Sequence, residues 1–334
     1  MAATKMAAAR EITLPETMKA IAIDRFGSPD VLTLQTVPVP EPGPHEVLIM
    51  LYAAGVGVWD ADIRKGWWPS GRPKFPLVLG TDGAGIVAAR GASVRRFRTG
   101  DQVWAYEFVN KKGGFYAEYV AVEADHVGRV PHHLDLVQAG ASAVTGLTAL
   151  QGIDDQLRLR RKETILIFGA SGAVGTTAVQ FAKRRQARVL AMTSAAPSPR
   201  MSPVASRPDA DVIDPRSDGA IEQLPALAPD GIEAALALAG GPELERCLDL
   251  MRTGGRVAYP NGVEPKPRRR RGIDYLAYNA VAGPREFARL ENAVEEARLN
   301  VPIAGVYPLS QAAKAHARLV KGHVIGRIVL QIRR

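Results

Sequence analysis

From Met18 to about Asp125 the chain alternates short apolar runs with glycine and proline turns, a pattern that predicts strands. The runs are Lys19–Ile23, Glu46–Tyr52, Gly85–Ala88 and Gln102–Tyr106. Between the first two, Val37-Pro38-Val39-Pro40-Glu41-Pro42-Gly43-Pro44 reads as an extended connector, because each proline removes an amide donor and restricts the residue before it. Near residue 130 the texture changes. Leu136–Gly152 is expected to be helical and Thr164–Phe168 to be a compact apolar strand, with a glycine-rich turn and a helix over about Val174–Arg185 behind it. A strand at Arg188–Met192, a short one at Val212–Ile213, the stretch Gly231–Ala239, a helix around Pro242–Arg252 and a strand at Arg256–Tyr259 continue the series. Such alternation implies a parallel sheet covered on both faces. Pro284–Leu299 and Ser310–Val320 are predicted helices, and Arg327–Ile332 a closing strand. The expected fold class is α/β, a β-rich domain with an α/β domain inserted before its last elements.

Length agrees with two cores: 334 residues exceed what one ordinary hydrophobic core organises. Apolar residues make up 46% and charged residues 23%, a soluble globular composition, and no run of about 18 apolar residues suggests a membrane span. Met1 to Glu16 is Ala-rich, with Lys5 and Arg10, and lacks the apolar centre of a signal peptide. Residues 1–17 are therefore expected to be a flexible extension. Cys247 is the one cysteine, which excludes an internal disulfide or a site of several thiolates and fits a reducing, cytoplasmic setting. The net charge of +9 is uneven, with Lys266, Arg268, Arg269, Arg270 and Arg271 close together. A cluster like this attracts anions in general and does not identify a nucleic-acid binder.

The most informative segment is Ile165-Leu166-Ile167-Phe168-Gly169-Ala170-Ser171-Gly172-Ala173-Val174-Gly175. An apolar strand runs into a tight turn that opens a helix, the context a dinucleotide-binding turn requires. Gly172 lets backbone approach a pyrophosphate, Gly175 lets helix pack on strand, and the helix N-terminus offers free amides. About 20 residues on, where an NAD site places an Asp or Glu for the ribose 2′-hydroxyl, the chain reads Ala191-Met192-Thr193-Ser194. Thr193, Ser194 and Arg200 offer hydroxyl and guanidinium groups suited to a 2′-phosphate, which favours NADPH over NADH.

Together these motifs resemble the medium-chain dehydrogenase/reductase superfamily, and within it the zinc-free quinone oxidoreductase (zeta-crystallin-like) branch. The resemblance runs from Met18 to Ile332. It includes Ala53-Ala54-Gly55-Val56 with Asp60 and Gly66, Pro76-Leu77-Val78-Leu79-Gly80-Thr81-Asp82-Gly83-Ala84-Gly85, Gly100-Asp101-Gln102-Val103 and Gly113-Gly114-Phe115-Tyr116-Ala117-Glu118-Tyr119. Thr145-Gly146-Leu147-Thr148-Ala149 and Gly322-His323-Val324-Ile325-Gly326-Arg327-Ile328-Val329-Leu330 complete it, with Arg327 where lysine is usual. The resemblance implies a GroES-like catalytic domain (18–138 and 284–334) and an inserted Rossmann domain (139–283), a doubly wound parallel sheet. It also implies that Ala239, Gly240, Asn261 and Gly262 flank the nicotinamide end of the cofactor. Thr145 and the segment Ser171, Gly172, Ala173 and Val174 would follow its ribose and phosphates. A homodimer through an edge strand near 273–278 is expected on the same ground. Zinc-dependent relatives carry Gly-His-Glu where this chain has Gly80-Thr81-Asp82, and a cysteine near Gly57. Catalytic zinc needs about three Cys, His or carboxylate ligands, so no zinc is expected.

Without a metal, the chemistry implied is hydride transfer from NADPH to an acceptor that needs little polarisation, a quinone or similarly activated carbonyl. Trp59, Asp60, Trp67, Trp104 and Tyr106 are the candidates to line the acceptor pocket, with core packing equally open to the aromatics; Asp60, which a turn or cap would also explain, is the one weak catalytic candidate. Two departures from the family pattern stand out: Gly57 where asparagine is usual, and Pro197, Pro199, Pro203 and Pro208 where relatives have a helix. The six histidines show no metal spacing or nucleophile partner, and most of them read as surface or turn residues. An alkenal or 2-enoyl reductase of the same superfamily would differ only in its pocket. An NADP(H) sensor or RNA-binding protein without turnover is the alternative of another class. The short basic run has no interleaved aromatics to stack bases, which argues against nucleic acid.

Overall fold

The computed structural model of the chain describes residues 14–69, 71–194 and 210–334. Most of the expected N-terminal extension, the proline-rich segment 195–208 and Arg200 lie outside the described residues.

The first part of the chain supplies strands β1 (Thr17–Ile23), β2 (Thr33–Pro38), β3 (Glu46–Val56), β4 (Leu77–Val78), β5 (Asp82–Arg90), β6 (Gln102–Tyr106), β7 (Tyr119–Glu123) and β8 (Val127–Arg129). The second supplies β9 (Thr164–Phe168), β10 (Arg188–Met192), β11 (Ala210–Ile213), β12 (Ile232–Ala237), β13 (Met251–Pro260) and β14 (Asp274–Tyr278). β15 (Ile303–Pro308) and β16 (Arg327–Gln331) close the chain. Helices are α1 (Val58–Lys65), α2 (Leu136–Gly140), α3 (Ala143–Gln151), α4 (Ala173–Arg184), the single turn α5 (Leu224–Leu227), α6 (Pro242–Leu248), α7 (Pro284–Ala297) and α8 (Ala312–Val320).

Among the described residues β9 to β14 form a six-stranded parallel sheet in the order β11-β10-β9-β12-β13-β14. Numbered within the sheet this is 3-2-1-4-5-6, the doubly wound dinucleotide-binding order, whose crevice opens at the carboxyl ends of the first and fourth strands. Those ends are Phe168 and Ala237, paired in register. The other large sheet is mostly antiparallel and is built around β3, which pairs with β5, β7 and β16. Because β16 comes from the far end of the chain, the α/β part is an insertion into the β-rich part. One backbone hydrogen bond then ties the two at the crevice: the Gly326 amide donates to the Ser171 carbonyl at 2.9 Å.

Two expected elements differ. The stretch Leu136–Gly152 is split. α2 is capped by Asp135, whose carboxylate accepts from the Gln138 amide at 2.8 Å, and the helix breaks at Ala141–Ser142. Gly140 lies there so close to β3 that a Cβ would stand 2.8 Å from Ala53 Cβ. α1 was hidden in a region of strand texture: its eight residues end at Gly66, whose φ of 113° is a left-handed conformation that glycine accepts without strain.

Candidate active site

The glycine-rich turn stands at the sheet's switch point. Gly172 is the N-cap of α4, and helix geometry leaves the amides of the first turn without intrahelical partners. α4 buries Ala178, Val179, Phe181 and Ala182 and ends on Lys183 and Arg184, basic residues suited to a helix C-terminus. Gly175 is forced by packing: a Cβ there would collide with the Gly169 carbonyl and stand 2.7 Å from Ala170 Cα. Gly172 is different. Its Cβ would meet only the Gly169 carbonyl oxygen, at an ordinary 3.5 Å, so the protein itself does not require glycine there. A space that the chain leaves open at the N-terminus of a helix is a cradle for a phosphate.

The remaining cofactor candidates surround that crevice. Thr145 is buried on α3 and donates its hydroxyl to the Ala141 carbonyl at 3.2 Å. Ala239 and Gly240 follow β12, and Gly240 is covered by the loop at Pro265, whose carbonyl a Cβ would strike. Asn261 and Gly262 follow β13, with the Asn261 amide bonded to the Tyr278 carbonyl at 2.8 Å. Thr193 is buried, and Ser194, one residue on, accepts at its carbonyl from Arg216 Nη2 at 3.1 Å. Arg216 was not foreseen. It is an exposed guanidinium at the carboxyl end of β10 and β11, where a 2′-phosphate would need one.

On the facing wall, Trp59, Trp67 and Phe108 form a triangle with ring centroids 5.4–5.7 Å apart. Trp59 reaches across the crevice, so that a Cβ on Gly262 would lie 3.2 Å from its Cη2. Trp67 is 44% exposed. Trp104 belongs elsewhere: it is fully buried and packs on Phe287, filling the space over Gly128. Its large apolar surface is spent on the core between β6 and α7, so the expectation that it lines the pocket is corrected.

Behind Trp59 lies a buried polar cluster. Asp60 Oδ2 accepts from the Gly57 amide at 2.8 Å and the Tyr116 hydroxyl at 3.0 Å. Tyr116 also meets His316 Nε2 at 3.2 Å, and Arg64 Nε approaches His316 Nδ1 at 3.4 Å while its Nη1 donates to the Gly27 carbonyl. Asp82 Oδ1 accepts from Arg327 Nη2 at 2.8 Å, and its Oδ2 faces the Val144 amide at 3.3 Å. Tyr106 stands opposite Asp82 in the β5–β6 register.

Burial sets the protonation of the whole group. It raises Asp60 to about 7, helped by Asp82 and opposed by Arg327. It holds the Asp82 carboxyl above its usual range against the pull of Arg327. Tyr106 is pushed to about 12 by burial and the two carboxylates. His316 is lowered to about 3 by burial and by Arg64, so it is neutral. The surface reading of the histidines therefore fails for His316, which is fully buried on the inner face of α8 with Ala312 and Ala315.

The basic run also takes a different place. Arg270 is paired with Glu245 at 2.9 Å and Asp249 at 2.7 Å, the Arg268 amide bonds Glu245, and Arg269 lies over the Tyr275 ring. It straps α6 down along the side of the sheet, and acids of α6 already answer part of its charge.

Comparisons with known proteins agree with this layout. Residues 43–132 match the alcohol dehydrogenase GroES-like domain, and residues 209–330 match the family described as zinc-binding dehydrogenase. A quinone oxidoreductase of Lama guanicoe is 32% identical over 330 residues, covering 95% of this chain and 98% of that protein. The chain belongs to the medium-chain dehydrogenase/reductase superfamily. It is a quinone oxidoreductase-like enzyme, which sets aside the reading as a protein without turnover. Among solved structures, an NAD-dependent alcohol dehydrogenase is 29% identical with a TM-score of 0.85, covering 94% of this chain and 100% of that one. A mycobacterial protein complexed with NADPH is 25% identical with a TM-score of 0.79 at the same coverage.

Both groups that this superfamily implies can be tested against the residues present. A pyridine dinucleotide fits the open cradle at Gly172 and the turn that holds it. A zinc ion does not fit the acceptor wall. Gly57 and Thr81 offer no suitable donor there, Asp82 is committed to Arg327, and a guanidinium already brings positive charge. Among the described residues no group of three or more His, Cys, Asp or Glu is arranged to hold a metal.

Proposed function

We propose that this oxidoreductase binds NADPH between the two parts of the fold and reduces a quinone or similarly activated carbonyl without zinc. The observation that carries the reading is the Gly172 cradle, left open by the chain itself at the switch point of the sheet. When bound, the dinucleotide supplies a hydride. The chain's own residues do the rest. The first-turn amides of α4 hold the phosphates, while Gly240 and Gly262, following β12 and β13, flank the nicotinamide end. The Trp59–Trp67–Phe108 triangle offers flat apolar faces to a planar acceptor and excludes water. We take 18–138 with 284–334 as the acceptor-binding domain and 139–283 as the cofactor domain. A single cysteine, Cys247, fits a reducing cytoplasm, where we place the protein.

The preference for NADPH rests on the missing acid after β10 and on Arg216. Parallel fluorescence titrations should show NADPH bound at least tenfold more tightly than NADH, about 1.4 kcal/mol, and Arg216→Ala should remove most of that difference. Equal binding of the two cofactors by the unaltered protein would defeat the assignment.

β14 is an edge of the six-stranded sheet, and a second copy could extend the sheet there by pairing its own β14. The proposed assembly is thus a homodimer. Light scattering at micromolar concentration should give twice the mass of 35.8 kDa; a monomer mass would rule this out.

A further inference from the structure

Gly57, where asparagine is usual, and Arg327, where lysine is usual, meet in space. A Cβ on Gly57 would stand 3.2 Å from Arg327 Nη2, 3.4 Å from its Nη1 and 3.4 Å from Asp60 Oδ2. A Cβ on Gly55 would stand 2.7 Å from Nη2 and 2.9 Å from Asp82 Oδ1. The Arg327 guanidinium therefore lies flat against the Gly55–Gly57 backbone, between two carboxylates, in space that a side chain at 57 would contest. Its strand is fixed to the cofactor turn by the Gly326 amide, so it is positioned relative to the crevice by backbone.

Two atoms of this cluster are buried without a hydrogen-bond partner among the described residues: Arg327 Nε and Asp60 Oδ1. Arg327 is 8% exposed and Asp60 fully buried. Leaving a buried polar group unpaired costs about 1–3 kcal/mol, and more for a charged one. An oxygen placed beside this cluster would accept from the Arg327 Nε–H and, while Asp60 is protonated, from its Oδ1–H.

We propose that Arg327 Nε and Asp60 Oδ1 form the subsite for the acceptor's carbonyl oxygen, with Arg327 stabilising the negative charge that develops there. The inference rests on the quinone reading above. The acceptor takes a hydride, with its electron pair, from the bound dinucleotide, which is oxidised. A quinone thereby becomes the hydroquinone monoanion, its charge on an oxygen facing the fixed donor. A proton from the Asp60 carboxyl completes the hydroquinone, and solvent reprotonates Asp60. Burial keeps that carboxyl protonated up to about 7. Asp82 serves as the counter-ion that fixes the guanidinium. Gly57 is the opening that lets the guanidinium reach its place.

The test uses the full chain with saturating NADP⁺ and 4-nitrophenol, whose phenolate mimics the hydroquinone monoanion and is read by its absorption. Bound phenol should ionise at least one pH unit lower than in water, a tenfold shift in its equilibrium. Arg327→Gln removes the donor but strands Asp82, so Asp82→Asn/Arg327→Gln is made beside it to keep the pair neutral and the fold intact. Both variants, and Gly57→Asn, should abolish the shift while NADP⁺ binding is kept. In turnover, Arg327→Gln should lower kcat about 100-fold, as loss of an oxyanion donor does, with little change in KM. An unshifted phenol in the unaltered protein, or a shift that survives in the double variant, overturns the proposal. A shifted phenol in a protein that does not reduce quinones supports the subsite and refutes only the quinone reading.

Discussion

The cofactor crevice and the acceptor wall face each other across a narrow gap but are built on opposite principles. In the crevice the proposed function falls to backbone: the first-turn amides of α4, and glycines that keep side chains out. On the wall it falls to buried polar groups, with Asp60, Asp82 and Arg327 within one cluster. Backbone sites are specified locally, since a strand, a turn and a helix within about a dozen residues suffice. The charged cluster draws on α1, β5 and β16, and Arg327 is paired with a residue 245 positions away.

The larger test of this contrast is electrostatic. Asp60 is fully buried and its carboxyl is raised from 3.8 to about 7 by burial. A group whose pKa is higher in the folded than the unfolded state stabilises fully below the unfolded value and loses that contribution as pH rises through the folded one. The window here is about pH 4 to 7. Three pKa units correspond to about 4 kcal/mol at 1.36 kcal/mol each, an upper figure for a group coupled to Asp82, Arg327 and Tyr116. Asp60→Asn cannot ionise and keeps an oxygen to accept from the Gly57 amide. Its stability relative to the unaltered protein should therefore increase between pH 4 and pH 7 and level off above that. Urea unfolding at the two pH values checks this. Parallel pH slopes for the two proteins would show that Asp60 ionises as an ordinary surface carboxylate.

What the sequence made legible follows the same division. The strand, turn and helix from Thr164 to Arg185 could be read because periodicity, glycine spacing and capping all lie within one window. Asp60 could be suspected, but its partners Tyr116 and His316 could not, since nothing local distinguishes a histidine that ends buried between α8 and α1. Arg327 was visible as a change from lysine. Its meaning needed the distance to Gly57, which only the fold supplies. Trp104 could not be assigned to pocket or core from the sequence, because an aromatic in a β-strand looks the same whether its face meets a ligand or Phe287. The place of the basic run could not be read because the glutamate and aspartate that answer it lie in α6 and at its C-terminal end, about 20 residues earlier in the sequence.

The smaller test separates two glycines of one turn. Gly175→Ala places a methyl against the Gly169 carbonyl and Ala170 Cα, both backbone, so α4 has to move off the strand. Overpacking of this kind costs about 1–3 kcal/mol of stability, and cofactor affinity should fall with it because the first-turn amides move too. Gly172→Ala meets nothing closer than 3.5 Å, and its φ of −68° with ψ of 171° is open to any residue. The melting temperature should therefore be unchanged or slightly raised, since alanine narrows the unfolded ensemble. Cofactor binding should nevertheless weaken about tenfold for every 1.4 kcal/mol by which the methyl disturbs the seating of the phosphates. Thermal unfolding and NADPH titration of the two variants side by side read the difference. If Gly172→Ala binds NADPH as the unaltered protein does, the space beside α4 is not where the phosphates rest, and the crevice has to be assigned from Arg216 and Gly240 instead.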